Sequence, residues 1–350
     1  MIVYGLSCIC SVLVMYLGQK TERGQRHPGG IVFFSALPLI LTAAFRYDVG
    51  RDYLFTYVSY FEALRDHLVP ESQRMEILYH SLNQAVIWLG GGYEWVFGVC
   101  AVIFYLPVMS QISRDSPNPA LSAFLLTGMG YVFVFFNAMR QMTGCALTMY
   151  SLRFIQKKRL IPFLVCIALA AGCHTTCIIF AAVYFLGRIK VKPAVAWGAT
   201  GVVALLNGPL SSLIKSVLAM THYKVYLASM FDTGKTAWVM LTMNALVLLV
   251  FSLLYRDSPQ FQLYFNLQVA ALWVTMFSGS VVLSLRLLWM FGMPAVISLP
   301  IALEGLPREK DRRLMSSTVV LLYTLYAFIT VGLQNSNSVM PYQTILSRWI

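Results

Sequence analysis

Residues 160–187 read LIPFLVCIALAAGCHTTCIIFAAVYFLG, and His174 is the one side chain among them, cysteines and tyrosine aside, that titrates. Arg153, Lys157, Lys158 and Arg159 precede the run with no acid among them, and Arg188, Lys190 and Lys192 follow it. Short basic loops mark the cytoplasmic side of a membrane. With both flanks cytoplasmic, the run crosses an even number of times. Each half then has about 14 residues, or about 21 Å of helix, which makes a short hairpin or re-entrant pair with His174 at its turn. A single long tilted helix would instead leave one basic flank outside.

The rest of the chain reads the same way. Hydrophobic residues make up 58% of 350 positions and charged residues 11%, too little polar surface for a soluble domain. Apolar runs about long enough to cross a hydrocarbon core recur almost to the end. The first, Ile2 to Gly18, lacks a basic start and a small-residue cleavage site, so it reads as a retained anchor. The net charge of +12 lies singly or in short clusters between apolar runs, where it meets anionic headgroups; it is no nucleic-acid footprint. Cys173 and Cys177 flank His174 in an order that fits neither haem attachment nor a zinc site, so all seven cysteines read as free, buried thiols.

Parity extends outward from residues 160–187. Helices are expected near 119–136 and 139–155, with Arg140 at their junction, and near 261–282 and 287–303, with Arg286 at theirs. Three hairpins thus each place Arg140, His174 or Arg286 at an outer turn. Residues 46–74 carry four arginines against five acids, a balance suited to the outer face. Segment 75–90 is expected to be interfacial or re-entrant, which makes 46–92 an outer-face loop. Residues 208–235 form a second outer-face segment. The expected fold is all-α: a polytopic membrane protein, one transmembrane domain over residues 1–350. It has about twelve crossings, several short or re-entrant, both termini outside, and room for a GT-C-like glycosyltransferase architecture.

Arginine at membrane depth costs several kcal/mol unless it is paired, snorkels or faces a wet cavity. Alone, Arg140 or Arg286 reads equally well as a residue snorkelling to headgroups. Together with Arg46 and Arg51 on the same face, they read as a cationic site for a phosphorylated ligand, since guanidinium forks match phosphate oxygens. His174 on that face is a candidate for proton transfer. Asp48 and Asp52 are the close acidic pair beside a membrane boundary; they either pair with Arg46 and Arg51 or supply a base. Tyr47 and Tyr53 offer rings for sugars, and Gln141, His222 and Tyr223 complete the candidate substrate contacts. No clustered carboxylates within the apolar runs suggest a metal site, so arginine is the expected source of charge neutralisation, without cofactor.

The stretch Phe45-Arg46-Tyr47-Asp48-Val49-Gly50-Arg51-Asp52-Tyr53 resembles the EpsG-like branch of the Wzy-type bacterial polysaccharide polymerases, which carry an Arg-Tyr-x-Val-Gly-Thr-Asp-Tyr stretch after the second hydrophobic segment. The resemblance continues at Arg140-Gln141, at Lys157-Lys158-Arg159, at His174, at Arg286 with an aromatic three residues on, and at Pro341-Tyr342. The chain departs from the pattern at Arg51, where the family has a small residue, and at Thr175-Thr176.

The resemblance implies a glycosyltransferase of the bacterial inner membrane. It would join polyprenyl-diphosphate-linked oligosaccharide units, donor and acceptor, on the outer face. Membrane lipids would surround it, and a chain-length regulator protein is a candidate partner. In that reaction Arg140 and Arg286, then Arg46 and Arg51, would neutralise the departing diphosphate, and His174 or an aspartate would take the hydroxyl proton. Two other classes use similar parts: a transporter or flippase of the same lipid-linked units, and a glycan ligase or membrane O-acyltransferase. Transporters usually carry paired internal repeats with midplane helix breaks, and no such repeat is visible.

Overall fold

The computed structural model describes residues 1–21, 29–220, 236–281 and 284–348, and among these the fold is helical with no β-strand. By its contacts the chain divides into two compact units, Met1–Ala181 with Glu309–Ile350, and Ala182–Arg308.

The first unit begins with α1 (Ile2–Thr21), α2 (Gly29–Ala44), α3 (Ser59–Arg65), α4 (Ile77–Trp88) and α5 (Tyr93–Asp115). It continues with α6 (Pro119–Gly128), α7 (Tyr131–Asn137), α8 (Met139–Gln156) and α9 (Leu160–Cys173). The second unit holds α10 (Val183–Leu186), α11 (Pro193–Leu205), α12 (Asn207–Ala219), α13 (Trp238–Leu253), α14 (Pro259–Met276), α15 (Ser284–Gly292) and α16 (Ala295–Leu303). Helix α17 (Glu309–Ala327) then packs on α6 in the first unit.

Four described stretches are long and apolar enough to cross a membrane: Ile2–Gln19, Tyr93–Asp115, Arg286–Leu303 and Glu309–Leu333. Two bent pairs, Pro119–Gly128 with Tyr131–Asn137 and Pro193–Leu205 with Asn207–Ala219, raise this to six if each is one span. That is fewer than the twelve expected from parity. Four further apolar helices, α2, α9, α13 and Thr175–Leu186, are shorter, and α8 and α14 carry buried polar side chains. Leu314, Leu321, Leu322 and Leu325 of α17 stand exposed, as hydrocarbon-facing residues do.

The bend between α6 and α7 is 47°, and local chemistry accounts for it. Asn118 caps α6 by accepting from the Leu121 amide at 3.1 Å, Pro119 supplies the first helical residue, and Gly130 at φ 90° turns the chain out again. Helix α8 is central to this unit and largely buried, its Thr143, Thr148 and Ser151 hydroxyls satisfied by carbonyls of the same helix. At the cytoplasmic end expected from the charge pattern, Arg153 reaches across to Gln111 and Ser110 of α5, and Gln111, Arg114 and Gln156 converge on Asp115.

At Gly144 the close packing decides the local path. A methyl group there would fall 2.6 Å from Cys177 Sγ and 3.0 Å from the Ala170 carbonyl oxygen. Residues on either side of His174 therefore meet the same level of α8, as a chain turning at His174 requires. His174 itself is extended (φ −157°, ψ 118°), and a 3-10 stretch over Thr175–Ala182 follows.

The loop after α2 is laced to the C-terminal segment. Arg46 bridges to Thr344, Tyr47 N donates to Gln343 O at 2.9 Å, Ile345 N to Phe45 O at 3.0 Å, and Gly50 N to Ser338 O at 2.9 Å. Gly50 has φ +100°, and a methyl group on it would fall 2.9 Å from the Phe136 carbonyl oxygen. Gly50→Ala therefore meets both a left-handed backbone and a backbone obstacle, and is expected to destabilise the protein by about 1–3 kcal/mol. Thermal unfolding of the purified protein in detergent reads this directly; an unchanged midpoint would contradict the lacing.

Candidate functional site

Two helix starts and one helix end meet in the first unit. Glu76 is the N-cap residue of α4, where the positive end of the helix dipole favours an anion. His174 is the C-cap residue of α9, where the negative end favours a cation. Arg140 occupies the first turn of α8. The ends are brought close at Gly172, where a methyl group would lie 2.7 Å from Leu78 of α4.

Between the three lies one carboxylate. Arg140 Nη1 donates to Glu76 Oε2, and His174 Nδ1 lies 2.6 Å from Glu76 Oε1. The side chains are 22%, 15% and 11% exposed for Arg140, Glu76 and His174, so the group is shielded yet open at the arginine. The guanidinium also lies 5.7 Å from the Tyr79 ring centroid. Burial pushes the Glu76 carboxyl up, but His174 and Arg140 outweigh it and hold the group down at about 2. Glu76 is thus an anion at physiological pH. The imidazole approach is close but too oblique for a hydrogen bond, so both His174 Nδ1 and Nε2 are buried without a hydrogen-bond partner among the described residues. Arg140 Nε is likewise buried and unpartnered.

The other expected site residues fall in different places. Arg46 is wholly buried: Nη1 donates to Phe136 O at 2.7 Å and Val49 O at 3.3 Å, and its guanidinium lies 4.7 to 5.7 Å from the ring centroids of Phe136, Phe97 and Tyr53. That environment makes Arg46 a structural cation clasped by rings and carbonyls, in place of the phosphate contact expected for it. Tyr53 is a core ring packed on Tyr93 and Phe97, with no face for a sugar, whereas Tyr47 is half-buried against it. Arg51 is exposed and ties the C-terminal segment, with Nε on Ser338 Oγ and Nη2 on Ser336 O, both at 3.1 Å. Asp48 is exposed in the turn at φ 49°, and Asp52 is half-buried where the helical stretch Tyr53–Val58 begins. Gln141 is buried on α8 beside Arg140. Arg286 opens the span Arg286–Leu303 in the second unit. His222 and Tyr223 lie outside the described residues.

The carboxylate that joins Arg140 to His174 is therefore Glu76, which the charge pattern did not single out. Its signal was a lone acid between a charge-balanced loop and the apolar face of 77–88, at a helix start. No group of three His, Cys, Asp or Glu side chains among the described residues is placed to hold a metal ion.

The family match, and not the constellation, marks this helical, apolar chain as a polysaccharide polymerase-like membrane protein. The chain belongs to the EpsG family, whose model matches residues 31–344, nearly all of it. No curated protein and no solved structure matched the chain in the corresponding searches.

Proposed function

We propose that this protein is a glycosyltransferase that lengthens a polysaccharide at the outer face of the bacterial inner membrane. The donor is a glycan on polyprenyl diphosphate, and the acceptor is a sugar hydroxyl of a second lipid-linked unit. The acceptor oxygen attacks the anomeric carbon as its proton passes to His174. The bond from that carbon to the diphosphate oxygen breaks, and its electron pair leaves with the diphosphate. Charge builds on the departing oxygen, and Arg140, in the first turn of α8, is proposed to meet it. Arg286 is proposed as a second diphosphate contact, Asp52 and Asp48 as reserve bases, and Tyr47, Gln141, His222 and Tyr223 as sugar contacts.

The observation that carries this reading is the Arg140–Glu76–His174 constellation in a member of the EpsG family. In this proposal the short apolar helices, α8 and α14 also cross, which would make about twelve spans and put Arg140 and His174 at the outer end.

Purified protein given defined lipid-linked repeat units is expected to produce a ladder of longer glycans, without added divalent metal and with chelator present. Translocation in liposomes with no change in glycan length would favour a transporter instead. Transfer of preformed glycan to a different acceptor, or of an acyl group, would favour the ligase or acyltransferase reading.

A further inference from the structure

We propose that Glu76 is the positioning residue of His174: it holds the imidazole with the proton on Nδ1 and so leaves Nε2 to accept the proton of the attacking hydroxyl. This role rests on the polymerase reading above.

An ionised carboxylate can only accept hydrogen bonds, so a ring nitrogen 2.6 Å from Glu76 Oε1 must carry a hydrogen rather than a lone pair. In the neutral ring the other nitrogen is then the acceptor. That nitrogen, Nε2, is buried without a hydrogen-bond partner; Nδ1 also falls short of hydrogen-bond alignment, but it has the Glu76 oxygen at 2.6 Å. An orphaned buried acceptor is costly, and a substrate hydroxyl would relieve that cost. The oblique approach at Nδ1 is also what resting catalytic pairs show, since such bonds commonly straighten only with substrate in place.

Glu76 is itself locked. Arg140 holds Oε2, which stops the carboxylate from rotating away from the ring, and the α4 dipole favours its charge. The near approach of α4 and α9 at Leu78 and Gly172 fixes the two ends against each other. When Nε2 takes the proton, the imidazolium forms between the C-terminal end of α9 and an anion already in place, with no reorganisation needed. A plainer use for Glu76 would be to neutralise Arg140, and then His174 would stand beside it without being acted upon.

A double-mutant cycle on elongation separates the two uses. Glu76→Gln keeps the shape and removes the charge; it is expected to lower kcat about 10²-fold with KM for the lipid-linked acceptor unchanged. In a His174→Ala background the same change is expected to have no further effect. Independent losses that multiply would overturn the role, as would full activity of Glu76→Gln. The wild-type protein supplies a second test, read in its own nitrogen shifts. With 15N-labelled histidine, and the His174 signals assigned by their loss in His174→Asn, the nitrogen shifts are expected to show the proton on Nδ1; a proton on Nε2 overturns the proposal. Failure of the wild-type protein to elongate at all would sink the polymerase reading. Elongation with multiplying losses would sink the Glu76 role alone.

Discussion

Replacing His174 by alanine is expected to lower chain elongation about 10² to 10⁴-fold, the usual contribution of a positioned general base. The loss should fall on kcat, because the imidazole is asked to act on a proton that moves in the transition state rather than to bind either substrate. Folding should survive: the backbone at His174 is extended, which alanine adopts, and its own amide bond to Ala170 O at 2.9 Å is untouched. The buried ring does leave a gap and strips Glu76 of one partner. A modest fall in the unfolding midpoint should therefore accompany the kinetic loss. Product length on a gel, per mole of folded protein, measures the effect. A variant that elongates within a few-fold of the wild type would remove His174 from the chemistry and pass the proton to Asp52 or Asp48.

Why His174 was legible in the sequence and Glu76 was not is a matter of contrast. A histidine in an apolar run bounded by basic loops stands out, and parity put it at a turn; the packing of Ala170 and Cys177 about Gly144 agrees. Arg140 was legible for the same reason, as a cation where hydrocarbon was expected. Glu76 follows a stretch with five acids already in it, and its composition is that of any outer loop. Only the approach of α4 to α9 makes it different, and no one-dimensional charge pattern carries that distance. The misreading of Arg46 has a similar origin. From sequence, a guanidinium beside a membrane boundary could face phosphate or face rings; here the Phe136, Phe97 and Tyr53 rings and the Phe136 and Val49 carbonyls surround it. Fewer helices are long and apolar throughout than parity expects. Helices buried among other helices do not need an apolar surface all round, and α8 carries two threonines, a serine and two glutamines.

Arg140→Ala is expected to slow elongation by about 10² to 10³-fold, the loss typical of removing one preorganised donor from a site of developing negative charge. The guanidinium does two things at once, and the variant should reveal both. Toward the substrate, its exposed portion offers donors to the diphosphate oxygens, so inhibition by free polyprenyl diphosphate should weaken along with kcat. Toward the protein, it is one of two cations that hold the Glu76 carboxyl down at about 2, and without it burial raises that group. A depressed carboxyl stabilises the fold above its ordinary range and loses that contribution as pH falls toward its folded value. The wild type should therefore keep this contribution down to about pH 4 and lose it by about pH 2, whereas Arg140→Ala should lose it at higher pH. Arg140→Lys is the informative companion. It keeps the charge but not the fork, so it should restore the acid stability more fully than the rate. Full elongation by Arg140→Ala, with unchanged inhibition by the free diphosphate, would leave the pair with Glu76 as the whole purpose of this arginine and move the leaving-group role to Arg286.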